Sequence, residues 1–235
     1  SIARLRETAT VLYVAAHPDD ENTRLIAWLV RGRGYRTGYL SITRGDGGQN
    51  LIGSELREAL GVIRTQELLA ARRVDGGEQF FTRAVDFGYS KSADETLAIW
   101  DRNAVLADVV RVIRTFRPDV IVTRFSPQPS GTHGHHTASA MLAVEAFKLA
   151  ADPQAFPQQL RDLAPWQARR VLWNAFRWGA QANAPLPTGA IRLDVGGYNP
   201  LLGESYAEIA ARSRTMHKSQ GFGAVGSRGP AMEEF

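Results

Sequence analysis

A short apolar run, VLYVAA at residues 11–16, leads directly into the polar sequence HPDDE at residues 17–21. A short, β-branched run that ends before a proline is typical of a buried strand. Three consecutive acids beside a core are costly unless something neutralises their charge. The pattern therefore predicts a buried strand whose carboxyl end carries either a divalent metal site or the acidic first turn of the next helix.

Apolar runs with strand character alternate along the chain with segments of helical periodicity. Strands are predicted at residues 10–16, 36–43, 120–125, 171–176 and 190–195, with a short strand and a loop in 78–89. Helices are predicted at 22–33, 54–75, 94–116, from 137 onward and at 199–220. This alternation indicates βαβ units in a three-layer α/β/α, Rossmann-like fold with a mostly parallel sheet. Residues 1–220 are predicted to form a single domain. The Gly-rich residues 221–235 are predicted to be a loosely ordered tail that leads to further domains in a longer protein.

Three polar loops follow predicted strands. They are HPDD after the first strand, TRGDGGQN after the second and SGTHGHH after a later one. In parallel α/β sheets, ligands bind beyond the carboxyl ends of the strands. We therefore expect these loops to meet at one edge of the sheet and to build one site.

The composition restricts the ligands that a metal could have. The chain has no cysteine and five histidines, and four of the histidines lie in the first and third polar loops. Catalytic zinc commonly takes two histidines and one carboxylate and keeps one position open. His17 and Asp20 can turn toward one point, and His136 would complete the set from across the sheet edge. The alternative is an inert acidic helix start and a solvated histidine loop.

Other classes of protein fit the sequence poorly. No apolar run approaches the roughly 20 residues that span a bilayer, and the first ten residues lack the apolar centre of a signal peptide. The net charge of +4 is scattered along the chain without a basic block. We therefore expect no nucleic-acid partner and no membrane span. The sequence leaves the oligomeric state open.

Four segments carry a resemblance to a known family. They are AHPDDEN at 16–22, GVIRTQELLAA at 61–71, HGHH at 133–136 and HKSQ at 217–220. The chain resembles the LmbE-like (PIG-L) family of metal-dependent de-N-acetylases from about Thr10 to Gln220. The resemblance implies hydrolysis of the acetamide of N-acetylglucosamine units in larger conjugates, with Zn²⁺ as cofactor and Fe²⁺ as an alternative.

The resemblance also implies roles for individual residues. His17, Asp20 and His136 would hold the metal. Asp19 would be the general base, and His133 would stabilise the oxyanion and return a proton. These residue types suit amide hydrolysis, which needs a polarised carbonyl, a base for the attacking water and a proton for the departing amine. Asp19 could instead orient a metal-bound histidine, and it could exchange roles with Asp20.

Two further positions would contact substrate, and one departs from the family pattern. Arg64 would bind substrate with Glu67 as its partner, and Gln220 would also bind substrate. The alternative for Arg64 is a side chain that lies along the helix surface. Many family members have Asp where this chain has His135. A carboxylate at that position would favour the charged form of His133, so the presence of His135 in its place affects the protonation of His133.

The predicted function is therefore a zinc-dependent de-N-acetylase acting on an N-acetylated amino sugar conjugate, that is, on a small-molecule or glycoconjugate substrate. The alternatives are a metal hydrolase of another N-acyl amide and a non-catalytic carbohydrate-binding domain with a structural metal. A structural site would need a fourth protein ligand, and His135 is the nearest candidate. The Gly-rich stretches resemble exported members of the family, so a periplasmic or extracellular location is expected.

Overall fold

The computed structural model describes residues 7–129, 132–175 and 188–235. Its centre is a five-stranded parallel sheet with the order β3-β2-β1-β4-β5. The strands of this sheet are β1 Thr10–Ala15, β2 Arg36–Ser41, β3 Glu78–Phe81, β4 Val120–Thr123 and β5 Arg170–Trp173. The predicted parallel α/β/α architecture is confirmed.

The strand order places a crevice at the carboxyl end of β1. The chain proceeds from β1 to β2 and β3 in one direction and then returns to pair β4 with the other side of β1. Connections on opposite sides of the sheet leave an opening between β1 and β4, where ligands bind in such folds. HPDDE follows β1 and HGHH follows β4, so the fold brings both motifs to this crevice.

Helices cover both faces of the sheet. They are α1 Thr23–Ala27, α2 Glu58–Asp75, α3 Ala93–Ile99, α4 Arg102–Phe116, α5 Gly134–Leu149 and α6 Tyr206–Arg214. Leu12 and Val14 of β1 pack in a core with residues of α3, α4 and α5. The alternate residues Val11 and Tyr13 pack in a second core with residues of α1 and α2. The two-residue period of a strand thus divides the interior into two layers.

Several helix boundaries differ from the predicted ones. The segment 94–116 forms two helices because Asp101 adopts a left-handed conformation, φ 53°, and its side chain accepts the amide of Ala104 at the start of α4. Helix α2 begins at Glu58, four residues after the predicted start. The last helix begins at Tyr206 instead of 199, because Ser205 and Glu208 form a capping box.

Within the described part of the chain, two short antiparallel pairings lie outside the central sheet. Strand β6 Arg192–Asp194 pairs antiparallel with β9 Met232–Glu234, and β7 Tyr198–Asn199 pairs with β8 Glu204–Ser205. Within the segment predicted to be a loosely ordered tail, residues 232–234 form the short strand β9. Glu233 is buried and accepts a hydrogen bond from Asn174 at 3.1 Å, which anchors β9 beside the central sheet. Among the described residues, no helix is long and apolar enough to cross a membrane.

Candidate active site

His17 and Asp20 lie together where β1 ends. Oδ2 of Asp20 accepts the backbone amide of His17 at 2.8 Å and lies 3.1 Å from Nδ1 of the same residue. The hydroxyl of Tyr39, from β2, donates to the carbonyl oxygen of His17 at 2.5 Å. His17 and Asp20, which were predicted to bind a metal, therefore also fix the turn after β1 through these hydrogen bonds.

Helix α5 brings His136 to the same place. Nε2 of His136 lies 3.6 Å from Oδ1 of Asp20, and one ligand atom from each of His17, Asp20 and His136 lies within 4.8 Å of the others. The ring of Phe125 stacks on His136 at 3.8 Å between centroids and fixes its orientation. Two imidazoles and one carboxylate at this spacing fit a divalent cation such as zinc.

His135 lies on the opposite side of His17. Its Nδ1 is 3.0 Å from Nε2 of His17, whereas Asp20 contacts Nδ1 of His17. His17, His133 and His135 also form a group that could hold an ion, but His135 is completely buried. We favour the group of His17, Asp20 and His136, because it contains a carboxylate and faces the cavity. His135 is not a fourth ligand of that group.

Asp19 adopts a backbone conformation that is uncommon for a residue other than glycine. Its φ is +90°, in the region that glycine favours. Oδ1 of Asp19 accepts a hydrogen bond from Arg64 at 2.9 Å, and its backbone amide donates to Glu21 at 2.9 Å. Backbone strain of this kind is concentrated at functional sites. Asp19 is beside the candidate metal ligands and is not needed to complete their set.

Arg64 and Gln220 both reach the site, although Arg64 has a different partner from the predicted one. Arg64 is buried and also donates to the carbonyl oxygen of Pro18 at 2.6 Å. Glu67 instead accepts the amide of Ser219 at 2.7 Å, so the predicted Arg64–Glu67 pair is wrong. The side-chain amide of Gln220 donates to the carbonyl oxygen of Gln49 at 2.8 Å.

His133 precedes α5 and is held by the backbone of Ser90. The Ser90 amide and the Ser90 carbonyl oxygen each lie 3.2 Å from Nδ1 of His133. The amide fits a neutral ring that carries its proton on Nε2, and the carbonyl fits a ring that carries a proton on Nδ1, whether neutral or charged. The Nε2–H tautomer and the charged ring each have an Nε2–H group that can donate.

Asp86, which the sequence analysis missed, is a buried carboxylate between two of the histidines. Its oxygens lie 3.7 Å from Nε2 of His17 and 3.6 Å from Nδ1 of His135. Asp86 follows the edge strand β3. The rule that sites form at the carboxyl ends of parallel strands could have identified it, because the rule applies to the loop after β3 as well.

One cavity of about 310 Å³ unites these residues. All seven predicted site residues line it, together with Asp86 and Tyr89; the seven are His17, Asp19, Asp20, Arg64, His133, His136 and Gln220.

Comparison with known families agrees with the motifs and the geometry. Residues 12–147, more than half of the chain, match the family described as PIG-L: GlcNAc-PI de-N-acetylase. The chain belongs to this family. The match contains the candidate metal ligands, Asp19, Arg64 and His133, whereas Gln220 lies beyond it.

Individual relatives of this PIG-L chain include two Streptomyces proteins. The 1D-myo-inositol 2-acetamido-2-deoxy-alpha-D-glucopyranoside deacetylase of Streptomyces scabiei is 31% identical over 184 residues, which is 70% of this chain and 55% of that protein. The mycothiol S-conjugate amidase of Streptomyces coelicolor is 27% identical over 177 residues, which is 70% of this chain and 60% of that protein. The chain thus spans little more than half the length of these relatives.

A solved structure shows the same fold. The N,N'-diacetylchitobiose deacetylase of Pyrococcus horikoshii superimposes with a TM-score of 0.62 over 92% of this chain and 72% of that chain. The two sequences are 18% identical. At this identity the likeness concerns the fold alone, and the reaction must be argued from the site.

The electrostatics of the PIG-L site separate the two adjacent aspartates. Burial opposes ionisation of Asp20, but His136 and His17 outweigh it and hold the pKa of that carboxyl below its usual range. Burial raises the pKa of Asp19 to about 6, although Arg64 opposes the rise. These directions apply to the metal-free protein. Asp20 is therefore a permanent anion suited to a cation, whereas Asp19 can exchange a proton near neutral pH.

The histidines differ in a similar way. Burial works to lower the pKa of His17, yet Asp20 and Asp86 raise it above its usual value. Burial lowers the pKa of His136 to about 4 and also lowers the pKa of His133, which Asp86 and Asp20 partly oppose. A neutral imidazole is the form that binds a metal, so His136 is prepared to act as a ligand without first losing a proton.

Proposed function

We propose that this chain is the catalytic portion of a zinc-dependent hydrolase that removes the acetyl group from an N-acetylated amino sugar conjugate. The observation that carries the proposal is the convergence of His17, Asp20 and His136 in one cavity, with the strained Asp19 beside them. Membership of the PIG-L family and the names of the relatives support a deacetylase.

The donor set supports zinc. His17, Asp20 and His136 would hold the ion, and two imidazole nitrogens with one carboxylate are a common catalytic zinc set. The same set also suits Fe²⁺, so metal analysis decides between them. A divalent ion at this position would polarise the acetamide carbonyl and lower the pKa of water.

Asp19 would act as the general base. With Oδ1 engaged by Arg64, Oδ2 is the oxygen available to take a proton from the attacking water. Proton transfer is most efficient when the pKa of the base lies near the working pH, and the metal-free pKa of about 6 meets that condition. Asp19 can then return the proton to the departing amine.

His133 would stabilise the oxyanion that forms when the amide carbonyl becomes tetrahedral. The backbone of Ser90 engages Nδ1, so Nε2–H is the group available to donate. A preorganised donor of this kind is typically worth a factor of about 100 to 1,000 in turnover. Because Ser90 accommodates the ring in its neutral and charged forms, His133 could also protonate the leaving amine.

The test combines metal binding with amine release. Metal-free protein is titrated with Zn²⁺ or Fe²⁺, bound metal is measured, and free amine is measured on N-acetylglucosamine, a GlcNAc–inositol conjugate and N,N'-diacetylchitobiose. We expect one functional equivalent of metal and acetate release from at least one conjugate. His17→Ala, Asp20→Ala and His136→Ala should each reduce bound metal well below one equivalent. Full metal retention by all three variants would overturn the ligand assignment.

A second candidate is the hydrolysis of a larger N-acyl amide. This candidate is considered because the Streptomyces coelicolor relative is named as an amidase. The same amines carrying longer acyl groups distinguish the two, because a deacetylase should lose turnover as the acyl chain grows. Metal binding without amine release from any of these amides would instead favour the non-catalytic alternative.

A further inference from the structure

The unusual backbone of Asp19 requires an explanation beyond the loop that contains it. A residue other than glycine persists at φ +90° only where its surroundings impose that conformation. The side chains of Arg64, Glu21 and Arg214, here called the Asp19 clamp, surround this residue. They contact its carboxylate, its amide and its carbonyl oxygen, respectively.

Arg214 makes the shortest of these contacts. Its Nη1 donates to the carbonyl oxygen of Asp19 at 2.6 Å. Arg214 is the last residue of α6, and its guanidinium lies 4.0 Å above the ring of Phe222. A planar guanidinium stacked on an aromatic ring has little freedom to move. The carbonyl of Asp19 is therefore held by a side chain that is itself fixed.

The same part of the chain supports Glu21. Glu21 is buried and lies 2.8 Å from Nε2 of the fully buried His217, while Arg72 donates to it at 3.2 Å. Two arms of the Asp19 clamp thus depend on residues 206–222, and this segment lies beyond residues 12–147, which match the family. Arg64 alone belongs entirely to the matched part.

We propose that Arg214, stacked on Phe222, is a positioning residue that holds Asp19 in its catalytic orientation, so that residues 206–222 complete the active site. The inference rests on the proposed role of Asp19 as general base. Arg214 acts through the Asp19 backbone and has no direct part in the chemistry. Its removal should let the Asp19 peptide rotate toward negative φ and move the carboxylate away from the metal ligands.

The first test is structural and does not depend on activity. Crystal structures of wild type and Arg214→Met are compared in their metal-free forms, and Phe222→Leu serves as a milder second variant. We expect Asp19 to leave positive φ, or to occupy two conformations, in Arg214→Met. An Asp19 that keeps φ near +90° and an unmoved carboxylate in both variants would overturn the proposal.

The second test measures turnover in zinc-loaded protein. Arg214→Met should lower kcat by about 10- to 100-fold, the usual effect of misplacing a catalytic group, while KM and metal content change less than about twofold. Arg214→Lys, which keeps one donor, should recover part of the loss. The matched control is Arg212→Met, because Arg212 is exposed in the same helix and pairs with Glu204.

A double-mutant cycle separates positioning from general destabilisation. In an Asp19→Asn background, Arg214→Met should cause little further loss, because the group that it positions is already disabled. Losses that multiply would show that Arg214 acts elsewhere and would overturn the proposal. Near-normal turnover in Asp19→Asn alone would refute the role of Asp19 as base, and the structural comparison would still decide whether Arg214 holds the Asp19 backbone.

Discussion

Asp19→Asn should stabilise the metal-free protein while disabling it. Burial raises the pKa of Asp19 from 3.8 to about 6. A group with a raised pKa stabilises the fold in its protonated form, and that stabilisation is lost as the pH rises through the folded-state pKa. At pH 8 the ionised Asp19 therefore lowers the free energy of unfolding by about 3 kcal/mol, since each unit by which the pKa is raised corresponds to about 1.4 kcal/mol.

The pH dependence of the effect gives the sharper test. At pH 5 the folded protein still has mostly protonated Asp19, so the cost falls to about 1.5 kcal/mol by the same linkage. The free energy of unfolding of Asp19→Asn minus that of wild type should consequently be about 1.5 kcal/mol larger at pH 8 than at pH 5. Local effects of the amide that do not change with pH cancel in this difference. Asparagine also tolerates positive φ comparatively well.

Urea unfolding of metal-free wild type and Asp19→Asn at pH 5 and pH 8 measures this difference. Asp162→Asn, at an exposed carboxylate, is the control and should show no such change between the two pH values. A stability difference for Asp19→Asn that is constant or smaller at pH 8 would refute the argument from burial. Loaded with metal, Asp19→Asn should lose at least about 100-fold in turnover, the usual contribution of a general base.

Two arginines give further predictions. Arg64 opposes the rise in the pKa of Asp19, so Arg64→Gln should raise that pKa further. The acidic limb of the plot of kcat against pH should then shift to higher pH. A shift of this limb to lower pH would contradict the pairing of Arg64 with Asp19. Arg114 is buried and donates to Gln159 and to five backbone carbonyls at and beyond the end of α5. Arg114→Met should leave buried acceptors without a donor and lower the free energy of unfolding in urea by at least about 1–3 kcal/mol, whereas the exposed Arg111→Met should change it by less than about 0.5 kcal/mol.

The position of the site was predictable because it depends on topology more than on detailed packing. A polar loop that follows a buried parallel strand must lie at the carboxyl edge of the sheet. HPDDE and HGHH follow β1 and β4, which are neighbours in the sheet. The order of strands and loops, together with the absence of cysteine, was enough to bring the two histidine-containing loops together, and the family resemblance then selected His17, Asp20 and His136.

The partners of individual side chains were not predictable in the same way. The family resemblance implied that Arg64 would pair with Glu67, but the tertiary fold brings Oδ1 of Asp19 to within 2.9 Å of Nη2 of Arg64. Arg214 and Asp19 are 195 positions apart in the chain. No local pattern encodes such contacts, because they depend on how α6 and α2 pack against the loop after β1.

The position of Asp86 changes the expected effect of the substitution His135→Asp. The sequence suggested that His135→Asp would restore a carboxylate near His133, but Asp86 already lies 3.6 Å from Nδ1 of His135. Phe87 and Trp100 pack against the His135 ring, with centroids at 4.5 and 4.6 Å. A new carboxylate there would be buried beside an existing one, and two such groups cannot both ionise cheaply.

His135→Asp should therefore lose stability relative to the nearly isosteric His135→Asn as the pH rises. The raised pKa of the carboxylate pair leaves the protonated form stable at low pH, and that stability disappears on ionisation. A buried charge without a partner costs about 3 kcal/mol or more, so the two variants should differ by roughly this amount at pH 8 and by less at pH 5. Urea unfolding of both metal-free variants measures the difference. Equal stability at both pH values would show that the new carboxylate reaches solvent or a cation, and that Asp86 does not face position 135.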